Sequence, residues 1–227
     1  MALFMFGCAP SYHADTNFGA MTSESMSEEG LLSTTSTGQQ VLEEIELIRS
    51  RGYSIQYERV SGEFLQSMGA KWSAHEVSDR TLRIYIHQDL NLKDRVHAIS
   101  HEISRAKDQF DIEDYLRNHP EMSDRVNEFW DLYEEKGMSG FDWKVIRFAV
   151  GVAACKEVHA FVRNRNLSDE GIRTEKYQKG ESVGSYLDEV YFSRFELSLK
   201  RLIAKKVVGW CEKYSTMADL QESLSWD

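Results

Sequence analysis

Hydrophobic positions lay out the chain in order. Over residues 41–51, Val41, Leu42, Ile45 and Ile48 fall at the three- and four-residue intervals that line one face of a helix, and Gly52 ends it. Residues 53–57 alternate between polar and apolar, which predicts a strand. A short helix is expected over 63–68, and 71–77 fits a strand loosely. The clearest strand is 80–88: Leu82, Ile84 and Ile86 take one face, Arg83, Tyr85 and His87 the other, after a turn at 78–80. Beyond Asp89 the period is helical. Segments 92–110 and 112–118 are expected as helices, with Pro120 as a break. Residues 123–136 follow with Ser123 as cap and Val126, Phe129, Trp130 and Tyr133 on the apolar face, ended by Gly137 and Gly140. A long helix over 142–166 has small residues at its centre, suited to close packing. Further helices are expected over 181–210 and 217–224. The pattern predicts an α+β fold, a small antiparallel sheet packed on a mostly helical bundle.

Composition adds a boundary. The first 40 residues carry four acidic side chains and no Lys or Arg; the first basic residue is Arg49. Residues 11–40 are rich in Ser, Thr and Gly and poor in bulky apolar side chains, so they read as a flexible linker, with a single domain over 41–227. Before the linker, an apolar stub (MALFMFG) ends at Cys8, similar to the tail of a bacterial lipoprotein signal in which the Cys is acylated. That resemblance implies a lipid anchor at Cys8 and a place in the cell envelope in preference to the cytoplasm. The chain as a whole, 41 % hydrophobic and 11 % aromatic, has the content of a globular protein. A net charge of −10 speaks against nucleic acid as a partner, since phosphate binding needs a basic face. No apolar run reaches the length of a transmembrane helix. Three cysteines are too few for a disulfide scaffold. A Cys155–Cys211 bridge stays open, but two buried free thiols are the simpler expectation.

Chemistry concentrates in residues 80–108, RTLRIYIHQDLNLKDRVHAISHEISRAKD: a strand, a short loop, then a helix bearing His101-Glu102. This stretch resembles the strand-plus-active-helix unit of the zincin metallopeptidases, whose helix carries His-Glu-x-x-His. Two histidines four residues apart share a helical face and hold one zinc ion, and the intervening Glu acts on the zinc-bound water as general base. The resemblance places His101 on the first ligand and Glu102 on the base. Glu157, within AACKEVHAF, falls where gluzincin-type relatives take a third ligand from a later helix. Position 105 departs from the pattern. Where the second His belongs stands Arg105, which keeps its proton and cannot ligate a metal.

Three readings follow. In the first the chain is a zincin-like protein without peptidase activity, Arg105 providing a fixed cation for Glu157 or Glu102 to pair with, no cofactor, Glu102 a vestigial base, and a binding or scaffolding role toward a protein or peptide partner. In the second the zinc site has moved: His97 and His101 are also four apart, and Glu157 or His159 completes the set in an active hydrolase. In the third these are polar residues of a helical interaction domain unrelated to peptidases. Asp108 is expected as a solvated helix-end carboxylate, and His75, His87 and His119 as surface or turn residues.

Overall fold

The computed structural model describes residues 27–136, 141, 143–174 and 211. The helices expected over 181–210 and 217–224, and Cys8, lie outside the described residues. The architecture is α+β and mostly helical, with one three-stranded sheet. The chain falls into two compact units, one of Met1–Glu102 with Leu167–Tyr177, the other of Ile103–Asn166 with Gln178–Asp227.

In the first unit, helices α1 (Glu28–Leu32) and α2 (Ser36–Ser50) precede strand β1 (Ser54–Val60). Structure therefore begins inside the segment expected as linker, and residue 40 lies within α2. The reason is capping. The Ser27 hydroxyl accepts from the Gly30 amide at 3.0 Å, and that of Thr35 from the Gly38 amide at 3.0 Å. The Ser/Thr content that resembles linker composition thus supplies helix starts. Leu32, Val41, Ile45 and Ile48 are buried.

Helix α3 (Gly62–Ser67), capped by Ser61, leads to β2 (Ser73–Ser78), and a two-residue turn to β3 (Thr81–His87). Both turn residues, Asp79 and Arg80, have positive φ (47° and 56°), which matches the right-handed twist of a hairpin. Strand order is β1-β3-β2: β2 pairs antiparallel with β3, and β1 parallel with it. The sheet is therefore mixed, not antiparallel as expected. The hairpin partner β2 occupies one edge of β3, and β1 occupies the other, running the same way as β3. Leu82, Ile84 and Ile86 are buried on one face as the alternation predicts. On the other, Tyr85 packs with Leu65 and Ala74, its ring 5.0 Å from that of Phe64.

Helix α4 (Leu92–Asn118) is one continuous helix of 27 residues, without the break expected near 111, because nothing there removes a backbone hydrogen bond. Helix α5 (Pro120–Lys136) starts earlier than expected: Pro120 is its first residue, where a missing amide is harmless, and His119 closes the turn with its carbonyl. Helix α6 (Trp143–Asp169) also has 27 residues. In the second unit Ile103, Ala106, Phe110, Leu116, Val126, Phe129, Phe148 and Val158 are buried. Cys155 and Cys211 form a disulfide with Cα atoms 5.1 Å apart. This corrects the expectation of two free thiols. Among the described residues no helix is long and apolar enough to cross a membrane.

Gly38 tests the early start of the first unit. A Cβ there would sit 2.0 Å from the Leu32 carbonyl oxygen and 2.7 Å from the Thr35 hydroxyl, so side chain and backbone collide. Gly38→Ala is expected to lose roughly 2–3 kcal/mol, read as a lowered urea midpoint. Unchanged stability would mean that residues 28–40 contribute nothing to the fold.

Candidate functional site

Helix α4 carries most of the candidate residues, and residues 96–104 are buried without exception. Asp94, His97, Ser100, His101, Glu102, Ser104 and Asp108 are all buried on it. A helix surrounded on all sides is ordinarily apolar, so each of these polar groups needs a partner.

Glu102 is 1 % exposed. Its Oε1 accepts from the Ser73 hydroxyl at 2.6 Å and its Oε2 lies 2.8 Å from His75 Nδ1. Both partners come from one face of β2, where Ser73 lies opposite Ile86 and His75 opposite Ile84. His75 is thus not the surface residue expected but a half-buried contact of the would-be general base. The available signal was its spacing of two from Ser73 in a strand, which puts both side chains on one face.

His97 is fully buried, and its Nε2 donates to the Ile172 carbonyl at 2.6 Å. Asp94 accepts from the Thr174 hydroxyl. The same stretch after α6 supplies Glu170, which accepts from the Thr37 amide at 2.9 Å and from the hydroxyls of Thr37 and Ser36 at the start of α2. These bonds to the helix start, those from Thr37 foremost, hold the Glu170 carboxyl down to about 2. Residues 170–174 are strapped to the first unit through these three side chains. His101 is 6 % exposed.

In the second unit Arg105 Nε lies 2.6 Å from Glu157 Oε1, the carboxylate only 1 % exposed and the Arg side chain 25 %. Next to it His159 Nδ1 is 2.8 Å from Asp108 Oδ2, side chains 11 % and 5 % exposed. Asp108 is therefore not solvated as expected; it stands three residues after Arg105, on the same side of α4. Buried Lys156 joins the group. Burial, and then the Arg105 charge, pull its amine down to about 8 against the opposing charges of Glu157, Asp108 and Glu113. The arrangement is an interior network of the Arg105 guanidinium, the Lys156 amine, the Glu157 and Asp108 carboxylates and the His159 imidazole, with the Glu113 charge acting on Lys156 as well.

The residues do not suit a zinc ion as they stand. Arg105 occupies the second ligand position and spends its guanidinium on Glu157, the candidate third ligand. Both Glu102 oxygens are engaged by β2. Among the described residues, no three His, Cys, Asp or Glu are gathered where they would hold a metal ion. No protein-family model, curated protein or solved structure matches this chain.

Two outcomes follow from this geometry. Arg105→Met leaves the Glu157 carboxylate buried without its guanidinium and is expected to cost about 2–4 kcal/mol. The double substitution Arg105→Met with Glu157→Met removes both charges and should recover most of that loss. A double-mutant cycle by urea denaturation giving a coupling near zero would show that the pair is incidental.

The second concerns pH. Burial first, with a small push from His101, holds the His97 pKa below its ordinary 6.5, against the Ile172 carbonyl and Asp94. Below about pH 6.5 the unfolded chain therefore takes up a proton that the folded form refuses, and stability falls with pH at up to roughly 1.4 kcal/mol per unit until the folded group also titrates. Lys156 acts at the other end. Between about 8 and 10.5 the folded amine has already lost its proton while the unfolded one keeps it, so stability rises with pH across that window. Denaturation curves from pH 5 to 10.5 should show the acid loss reduced in His97→Gln and the alkaline gain absent in Lys156→Met; profiles identical to the parent would refute both assignments.

Proposed function

We propose that this chain is a zincin-like protein that has given up peptidase chemistry and acts by binding a protein or peptide partner in the cell envelope, anchored through Cys8. The observation that carries the proposal is the 2.6 Å contact between Arg105 and Glu157. In a zincin, one ion ties the active helix to the later helix through His and Glu side chains. Here a fixed cation on α4 meets the carboxylate of α6, the two residues that the resemblance sets on the second and third ligand positions. The order of strand, loop and His-Glu helix supports the same reading, as does Glu102, which as general base would need a free oxygen facing water and instead has both oxygens bound by Ser73 and His75.

A peptidase with a relocated site would need His97 and His101 together on one ion. Glu157, one of the residues that would complete the set, is engaged by Arg105 at 2.6 Å, so this alternative gains no support.

Calorimetric titration of the full chain with zinc, with casein hydrolysis in parallel, tests the proposal. The parent is expected to bind no stoichiometric zinc and to cleave nothing. Arg105→His restores the missing ligand, frees Glu157, and is expected to take up zinc. Zinc-dependent hydrolysis by the parent overturns the loss of activity. A folded Arg105→His variant that ignores zinc overturns the zincin-like ancestry.

A further inference from the structure

We infer that this chain is a substrate for an oxidising protein disulfide, and that its second unit reaches its final form outside a reducing cytosol. This rests on the Cys155–Cys211 bridge alone and stands whether or not the zincin-like reading holds. The two residues are 56 apart in sequence, with Cα atoms 5.1 Å apart, a separation ordinary for a disulfide. Cys155 is 0 % and Cys211 1 % exposed. Cytosolic glutathione and thioredoxin keep thiols reduced, so a buried cross-link of this kind marks an oxidising compartment.

Burial also sets the order of events. Thiol–disulfide exchange needs a thiolate to approach a sulfur in line, and neither sulfur can be approached in the finished fold. Oxidation must therefore precede or accompany closure of the unit. One cysteine thiolate attacks the oxidant's disulfide and forms a mixed disulfide, releasing one oxidant sulfur as a thiol. The second cysteine then attacks the protein sulfur of that mixed disulfide and releases the other. Two thiol protons and two electrons pass to the oxidant, which departs as a dithiol. Cys155 immediately precedes Lys156 and Glu157, so the bridge fixes α6 at the residues of the interior charge network. Once made, it is sheltered from reductants by the same burial.

The full chain is produced in a bacterial host by two routes, exported to the periplasm and retained in the cytosol, and digested without reduction after alkylation. The exported chain is expected to give a linked peptide containing Cys155 and Cys211, the cytosolic chain the two alkylated peptides. Folded exported protein should resist dithiothreitol and yield to it only with denaturant. Its melting temperature should exceed that of Cys155→Ala/Cys211→Ala by about 10 °C. Peptide mapping does not depend on any variant folding. Alkylated Cys155 and Cys211 from the exported chain would overturn the inference, as would a complete bridge in the cytosolic chain.

Discussion

Everything in this structure turns on one constraint: α4 is buried on all sides along residues 96–104 and yet is not apolar. Transfer of an unpartnered carboxylate or imidazole from water into a protein interior is unfavourable by several kcal/mol, so the helix dictates what must surround it. Partners reach it from separate parts of the chain. Ser73 and His75 come from β2 to Glu102, Ile172 and Thr174 from the segment after α6 to His97 and Asp94, and Glu157 and His159 from α6 to Arg105 and Asp108. The polar face of α4 thus acts as a set of addresses. A slip of one residue in α4 would leave several charges without partners at once, which is a stronger bar to misfolding than the loss of any one apolar contact.

How much of this was legible in the sequence depended on the range of the interaction. The β3 alternation and the period of α2 are local properties; β3 is where the pattern puts it, and α2 holds the expected stretch up to Ser50 but starts five residues earlier, at Ser36. Ser27 and Thr35 are local too, but cap and linker share a composition, and only the hydrophobic residue that follows each, buried Leu32 and Val41, tells them apart. The parallel pairing of β1 was not legible, since alternation within a strand says nothing of the direction of its neighbour. Arg105 and Glu157 drew attention through the zincin resemblance, and they do meet. His75 and Asp108 were missed because each looks like a surface residue until its partner, 27 residues away in one case and 51 in the other, is known. The Cys155–Cys211 bridge was left open but not preferred over free thiols, because spacing along the chain says nothing of a 5.1 Å approach.

A guanidinium and a zinc ion can hold the same two helices, but they differ in what else they permit. A zinc ion leaves a coordination position open for water, exchanges with the medium, and needs neutral imidazoles, so its grip loosens in acid. Arg105 is charged at every physiological pH, leaves no open position, and cannot be stripped by a chelator. On the proposed reading, the change from His to Arg therefore exchanged a reactive centre for a closed one and left the scaffold intact.

Lys156 is the network's weakest member as a charge, since Arg105 disfavours its proton and burial disfavours it more. Glu157, Asp108 and Glu113 act in the opposite sense. The residue just before it, Cys155, is covalently fixed. The bridge and the charge network thus meet within one turn of α6, the covalent bond at residue 155 and the ion pair at residue 157.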